Sequence, residues 1–133
     1  KNFAFLLYKN LFINFGGLVS STETVRIDTL NLDTFSWLPN SSLPYANYAQ
    51  SSTLYNEFAI LYGGKNAPDK YQIEIFNCVN YSISNQRTTG DVPAKRRLHR
   101  AIQYNEYMYV LGGYTDNGQS LNDIFKLNCR LFT

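Results

Sequence analysis

A polar pair, a short apolar run and a double glycine recur three times along the chain. Tyr104–Gly113 reads YNEYMYVLGG, Tyr55–Gly64 reads YNEFAILYGG and Tyr8–Gly17 reads YKNLFINFGG. The tyrosine always stands eight residues before the first glycine, and the glycine pairs begin at Gly16, Gly63 and Gly112, in steps of 47 and 49 residues. A period of this length marks a repeat architecture of the solenoid or propeller kind. The apolar runs Leu11–Phe15, Phe58–Tyr62 and Tyr107–Leu111 have strand length and a composition that suits a buried pleated surface. Lys9-Asn10, Asn56-Glu57 and Asn105-Glu106 suit the middle of a tight hairpin turn, so a strand precedes each: Phe3–Tyr8, Ser51–Tyr55 and Arg100–Tyr104. The double glycines Gly16-Gly17, Gly63-Gly64 and Gly112-Gly113 are expected to end the second strand, where they permit positive φ or close backbone approach.

Beyond the glycines the copies diverge and then realign. Asp28–Leu32, Glu74–Cys78 and Asp123–Leu127 read as third strands, each opening on a carboxylate. Fourth strands are expected at Phe35–Trp37, Tyr81–Ile83 and Arg130–Phe132, closing on Trp37, Ile83 and Phe132, with Trp37 buried. No helix of useful length is indicated. The fold class is all-β: three four-stranded antiparallel sheets, with copies at residues 1–43, 44–92 and 93–133. One such sheet cannot bury both its faces, so stacked neighbours supply the core, as in blades around an axis.

At this point the residues resemble the kelch repeat, a family of β-propeller blades. The resemblance rests on the apolar strand ending in Gly-Gly, on Leu121-Asn122-Asp123-Ile124-Phe125 as the start of a third strand, and on Pro93-Ala94-Lys95-Arg96-Arg97-Leu98-His99 as a Pro-x-x-Arg-x-x-His approach to the next blade. Only the first copy has the tryptophan, and at Pro44 the approach carries Asn47 and Gln50 in place of Arg and His. The resemblance implies a partial kelch β-propeller. Propellers typically need four or more blades, so the chain is expected to be part of a longer protein or to close a ring with another chain.

Composition narrows the chemistry. A net charge of +2 gives no bulk attraction to nucleic acid or membranes, and no run reaches the ~18 apolar residues of a membrane span. The opening FAFLLY is shorter than a signal core, is broken by Lys9 and aligns with later first strands, so it is read as a strand. Asn40-Ser41-Ser42 and Asn80-Tyr81-Ser82 are formal glycosylation acceptors, but nothing in the chain indicates secretion. Cys78 reads as a core residue and Cys129 as a turn residue at a different position of its blade. A bridge is therefore not expected, which favours a reducing, cytoplasmic setting.

No cofactor or metal is expected: the single histidine, His99, has no marked nucleophile or base partner, and one His with two Cys cannot close a zinc site. That histidine count also argues against the copper oxidases built on kelch-like propellers. The glycine pairs are not phosphate loops, since no Lys-Ser/Thr follows. The basic cluster Lys95, Arg96, Arg97 and Arg100 suits an anionic or acidic partner, or else a solvated connector. Divergent loops on a rigid repeat scaffold are where recognition concentrates. The candidate partner-binding residues are Lys65, Asp69, Lys70, Arg96, Arg97, Arg100, Tyr114, Asp116 and Asn117. The expected function is a non-catalytic module for a protein or peptide partner, a scaffold in a cytoskeletal or ciliary assembly. The resemblance implies, as alternatives, the substrate-recognition part of a ubiquitin ligase and, last, a propeller enzyme.

Overall fold

The computed structural model describes residues 1–67 and 72–133. All regular elements among the described residues are strands: β1 (Ala4–Tyr8), β2 (Leu11–Phe15), β3 (Leu18–Val19), β4 (Thr22–Glu23), β5 (Arg26–Asn31), β6 (Ser36–Trp37), β7 (Ser41–Ser42), β8 (Ser51–Tyr55), β9 (Phe58–Tyr62), β10 (Gln72–Asn77), β11 (Ile83–Arg87), β12 (Arg100–Tyr104), β13 (Tyr107–Tyr114) and β14 (Ser120–Asn128). They form three main antiparallel sheets, ordered β1-β2-β5-β6 with β7 also on β5, β8-β9-β10-β11, and β12-β13-β14. The strands β3 and β4 pair as a small hairpin after the first glycines. The expected hairpins are present in the expected register, with Tyr8 opposite Leu11, Tyr55 opposite Phe58 and Tyr104 opposite Tyr107. Lys9, Asn56 and Asn105 stand at φ of 53°, 54° and 51°, the left-handed first turn position that matches the twist of a hairpin.

The third strands end on asparagine. The side-chain oxygen of Asn31 accepts from the backbone N–H groups of Asp33 and Thr34, that of Asn77 from Val79 and Asn80, and that of Asn128 from Arg130 and Leu131. These turns nucleate the reversal into the fourth strand. Four residues after each asparagine stand Phe35, Tyr81 and Phe132, all at positive φ.

That equivalence corrects the third copy by two residues. Phe132 is the partner of Phe35 and Tyr81 in the turn, not of Trp37 and Ile83, and Arg130–Phe132 is a turn. The third sheet accordingly has three strands. The cause is that β13 does not stop at the glycines: a bulge between Leu111 and Gly113 lets it continue to Tyr114, opposite Ser120. Asp28 and Glu74 occupy the same register, opposite Asn14 and Leu61, but Phe125 holds that place in the third sheet, opposite Val110. Asp123 therefore does not repeat Asp28 and Glu74. Cys78 and Cys129, each following the asparagine, do share one position: both donate their backbone N–H across the sheet, to Glu57 and Glu106. They are free thiols, each buried in its own core cluster. In the second copy the fourth strand runs Ile83–Arg87, beyond the expected Tyr81–Ile83; it is an exposed edge, where backbone pairing with β10 does not depend on side-chain polarity.

Two apolar layers lie between the sheets. Ala4, Leu6, Ile13, Phe15 and Ile27 of the first sheet pack on Ala59, Leu61, Phe76 and Cys78 of the second. The opposite face of the second sheet, Ile60, Tyr62 and Ile73, packs on Met108 and Val110 of the third. Large side chains buried this completely contribute about 1.5–3 kcal/mol each. Trp37 is not among them: it is 63% exposed. The row Leu7, Phe12, Leu30, Trp37 crosses the first sheet on the face turned away from the second sheet.

Candidate functional site

The segments that lead from one sheet to the next are held against the glycine turns of the preceding sheet. The backbone of Gly17 donates to the Asn47 carbonyl at 2.8 Å, and that of Gly64 to the Arg96 carbonyl at 2.9 Å. A Cβ on Gly16 would lie 2.4 Å from the Asn47 carbonyl oxygen, and one on Gly63 would lie 2.5 Å from that of Arg96. Both glycines also sit at left-handed φ, so only glycine fits there.

Arg96 and Asn47 then reach forward to the next glycine turn by the same route. The Arg96 guanidinium donates to the Gly112 carbonyl at 2.9 Å, and the Asn47 amide to the Gly63 carbonyl at 2.9 Å. Arg96 also binds both carboxylate oxygens of Asp123, at 2.5 and 2.9 Å, and lies over the Phe125 ring. The hydrogen bond from Arg96 holds the Asp123 carboxyl below the usual range. Arg96 is only 1% exposed. It is therefore a strut between connector and sheet, and it leaves the set of candidate contact residues. Asp123, expected to open the third strand, is its partner.

His99 and Gln50 form a second pair of equivalents. Gln50 donates to the Phe15 carbonyl at 3.2 Å, whereas His99 Nε2 meets Ser51 Oγ at 2.8 Å with its ring edge-on to Tyr62. A Ser–His contact invites a catalytic reading, but its surroundings oppose one. Burial first, and then the charge of Arg96, push the imidazole pKa down to about 4, and Arg100 adds to the effect. The imidazolium that a serine nucleophile would generate is disfavoured by all three. Tyr45 in the first connector donates to the buried carboxyl of Glu74, and burial pushes that carboxyl up to about 7. Sequence reading missed this pair; Glu74 was visible only as a strand carboxylate.

The exposed charge gathers where the post-glycine loops meet. Asp116, in the turn between β13 and β14, lies 3.1 Å from Lys95 of the connector and 3.6 Å from Lys65 of the second sheet's loop. Lys95 first, then Lys65, hold its carboxyl below the ordinary range. Arg97 and Tyr114 exchange two backbone hydrogen bonds of 2.9 Å, fixing the connector to this loop. Asn117 accepts from Thr115 at the loop tip. Asn66 donates to Glu23 at 2.6 Å, tying the second loop to the β3–β4 hairpin. Of the expected contact residues, Lys65, Arg97, Tyr114, Asp116 and Asn117 thus come together, joined by Lys95, Asn66 and Glu23. Arg100 stands apart, on β12 opposite Leu111. Asp69 and Lys70 lie outside the described residues. Among the described residues no group of His, Cys, Asp and Glu could hold a metal, and no helix is long and apolar enough to cross a membrane.

Comparison with known proteins agrees with this arrangement. Residues 2–133 match the model of the KLHDC2/KLHL20/DRC7 Kelch-repeats domain. The chain is 31% identical over 94 residues to Kelch domain-containing protein 3 of Rattus norvegicus, covering 68% of this chain and 25% of that protein. It is 26% identical over 135 residues to Kelch domain-containing protein 10 of Xenopus laevis, covering 89% of this chain and 32% of that protein. It is 23% identical over 137 residues to the dynein alpha chain of the flagellar outer arm of Chlamydomonas reinhardtii, covering 94% of this chain and 3% of that protein. The chain thus spans about a quarter to a third of the length of its kelch-domain relatives. With the glycine-anchored repeats, the stacked antiparallel sheets and a family match over nearly its whole length, the chain belongs to the kelch-repeat family.

Proposed function

We propose that this chain is a non-catalytic kelch module that binds a protein or peptide through the loop face built from Lys65, Lys95, Arg97, Tyr114 and Asp116. The observation that carries the reading is the meeting of Lys65 and Lys95 on Asp116. Three segments from two blades present charge at one place, on a scaffold whose connectors are pinned by buried hydrogen bonds. Lysines whose partner carboxylate is itself half-exposed can be drawn off by an acidic group of a ligand, because surface pairs are worth only about 0–1 kcal/mol. The setting we propose is the cytoplasm, with a scaffold role in a cytoskeletal or ciliary assembly; the similarity to the flagellar dynein alpha chain supports that direction. Membrane and nucleic acid are not the partners proposed.

The test is selection of peptides from a random display library on the whole chain, followed by titration against Lys65→Ala, Lys95→Ala and Asp116→Ala. The lysine variants are expected to weaken the selected peptides about ten-fold or more, equivalent to ~1.4 kcal/mol. Selected peptides that bind the lysine variants as tightly as the unaltered chain would refute the loop-face assignment.

A further inference from the structure

Three charged side chains meet where the loops of the second and third sheets converge, and the segments that carry them differ in how firmly they are held. Lys65 follows the second glycine pair. Gly64 donates to the Arg96 carbonyl at 2.9 Å, and Lys65 itself to the Tyr48 carbonyl at 3.0 Å. Lys95 immediately precedes Arg96, whose buried guanidinium is bonded to the Ala94 and Gly112 carbonyls and to Asp123. Both lysine backbones are thus fixed to the body of the molecule. Asp116 rides on a segment of a different kind. Gly118 donates to the Thr115 carbonyl and Thr115 to the Gln119 carbonyl, each at 3.0 Å, and Thr115 Oγ1 accepts from the Gln119 N–H at 3.1 Å. Among the described residues, the hydrogen bonds of 115–119 stay within this turn. Residues 116–120 are exposed, and a Cβ on Gly118 would meet nothing within 4 Å. The anchor to the scaffold lies one residue back, at Tyr114, which pairs with Arg97 and with Ser120.

The two ammonium groups hold the two oxygens of one carboxylate. Lys65 lies 3.6 Å from Asp116 Oδ1 and Lys95 lies 3.1 Å from Asp116 Oδ2. The carboxylate is the more exposed side, at 46% against 36% and 33% for the two lysine side chains. Two anchored cations therefore cradle the chain's own acid, on an arm that can swing without breaking a hydrogen bond to the scaffold. Ammonium groups act as point charges and not as planar forks, so they receive any carboxylate that reaches the same place. We propose that the Lys65–Lys95 cradle is a subsite for an acidic side chain of the peptide partner, and that Asp116 is its resident occupant, displaced when the peptide binds. This inference rests on the loop-face reading above. An incoming acid gains both lysine contacts only by taking the position of Asp116; beside it, the acid would meet a like charge. Asp116 thus sets a threshold, which a neutral peptide does not cross.

The experiment is fluorescence anisotropy of a labelled oligoglutamate peptide on the whole chain and on Asp116→Asn, with oligoglutamine of the same length as control. Removing the internal competitor is expected to tighten oligoglutamate about three-fold or more and to leave oligoglutamine unchanged. The gain should shrink at about 1 M salt, where the screening length falls to ~3 Å. Lys65→Ala and Lys95→Ala should each weaken oligoglutamate in the Asp116→Asn background. The two readings fail separately. Lysine variants that bind like their parent would refute the loop face itself. Lysine variants that weaken binding, while Asp116→Asn leaves it unchanged or weakens it too, would overturn displacement alone, because the acid then joins Asp116 instead of replacing it. An equal gain for oligoglutamine, or a gain for a phosphoserine peptide with none for oligoglutamate, would overturn the assignment of a carboxylate.

Discussion

At the scale of single residues, two buried ionisable groups oppose one another over one pH interval. The Glu74 carboxyl is pushed up to about 7 from an ordinary 4.5, chiefly by burial. In the unfolded chain it releases its proton near 4.5, whereas the folded chain keeps it to about 7. The folded state binds more protons between those values, so Glu74 makes stability fall as the pH climbs through them and contributes no further slope above. His99 is pushed down to about 4 from 6.5, again chiefly by burial. The unfolded imidazole takes up a proton below 6.5 and the folded one does not until about 4, so His99 makes stability fall as the pH drops through that interval. The slopes have opposite signs, and the wild type should be nearly flat from about 4.5 to 6.5. Glu74→Gln should leave stability that rises with pH across this range, and His99→Gln stability that declines, by about 2–3 kcal/mol in each case at ~1.4 kcal/mol per unit. Glutamine is already the residue at the His99 position of the preceding blade. Urea denaturation at several pH values reads both slopes; variants that track the wild type would show that neither group is buried as described. A second contrast separates glycines that look alike in sequence. A methyl on Gly63 meets the Arg96 carbonyl at 2.5 Å, whereas one on Gly112 meets nothing nearer than 3.1 Å. Both pay for positive φ, about 1–3 kcal/mol, but Gly63→Ala also pushes the connector away. Its loss of thermal stability should exceed that of Gly112→Ala; equal losses would contradict the close approach.

At the scale of elements, the hairpins were legible because their signals are local: a left-handed turn residue, an apolar run, a glycine pair. The register of the third strand was not, because it depends on how far two strands pair beyond the glycines. In the third blade that pairing reaches Tyr114 and Ser120, which moves every later residue by two. The better marker was the asparagine that ends each third strand, whose side chain caps the following turn; in a chain with fifteen asparagines that signal was hidden among many. The contact face was legible in part. Lys65 and Asp116 stood out as loop charges, but Arg96 read equally as a contact cation and as part of the connector motif; its enclosure by Asp123 and the Gly112 carbonyl is set by tertiary packing. Trp37 failed for the same reason, since its type suggested burial and its row lies on an open face. The prediction changes accordingly. Trp37→Ala should cost the isolated chain under about 1 kcal/mol, well below the ~3–5 kcal/mol of a buried aromatic. Urea unfolding at low protein concentration measures it, and a cost of several kcal/mol would mean that the ring is covered.

At the scale of the whole molecule, stability should divide along the stack. Among the described residues the strand contacts between sheets run from β1 to β8 and from β8 to β12, so the energy is close to a sum of sheet terms and seam terms. The two seams have no residue in common: Phe15 and Phe76 meet edge to face at 5.4 Å in the first, while Met108 and Val110 meet Tyr62 in the second. The connector Arg96–Asp123 bond and the Arg97–Tyr114 backbone pair reinforce the second seam alone. Phe15→Ala removes a ring that is wholly buried, at a cost of about 3–5 kcal/mol. If the stack behaves as coupled units, that cost falls on the first seam, and amides of β1, β2 and β5 should exchange much faster than in the wild type. Amides of β12 and β13 should keep most of their protection, because sheets two and three still cover each other. Native-state hydrogen exchange resolved by strand decides the matter. Uniform loss of protection across all three sheets would mean that the blades unfold as one unit, and that the buried struts between connector and glycine turn carry the cooperativity that the apolar seams cannot supply alone.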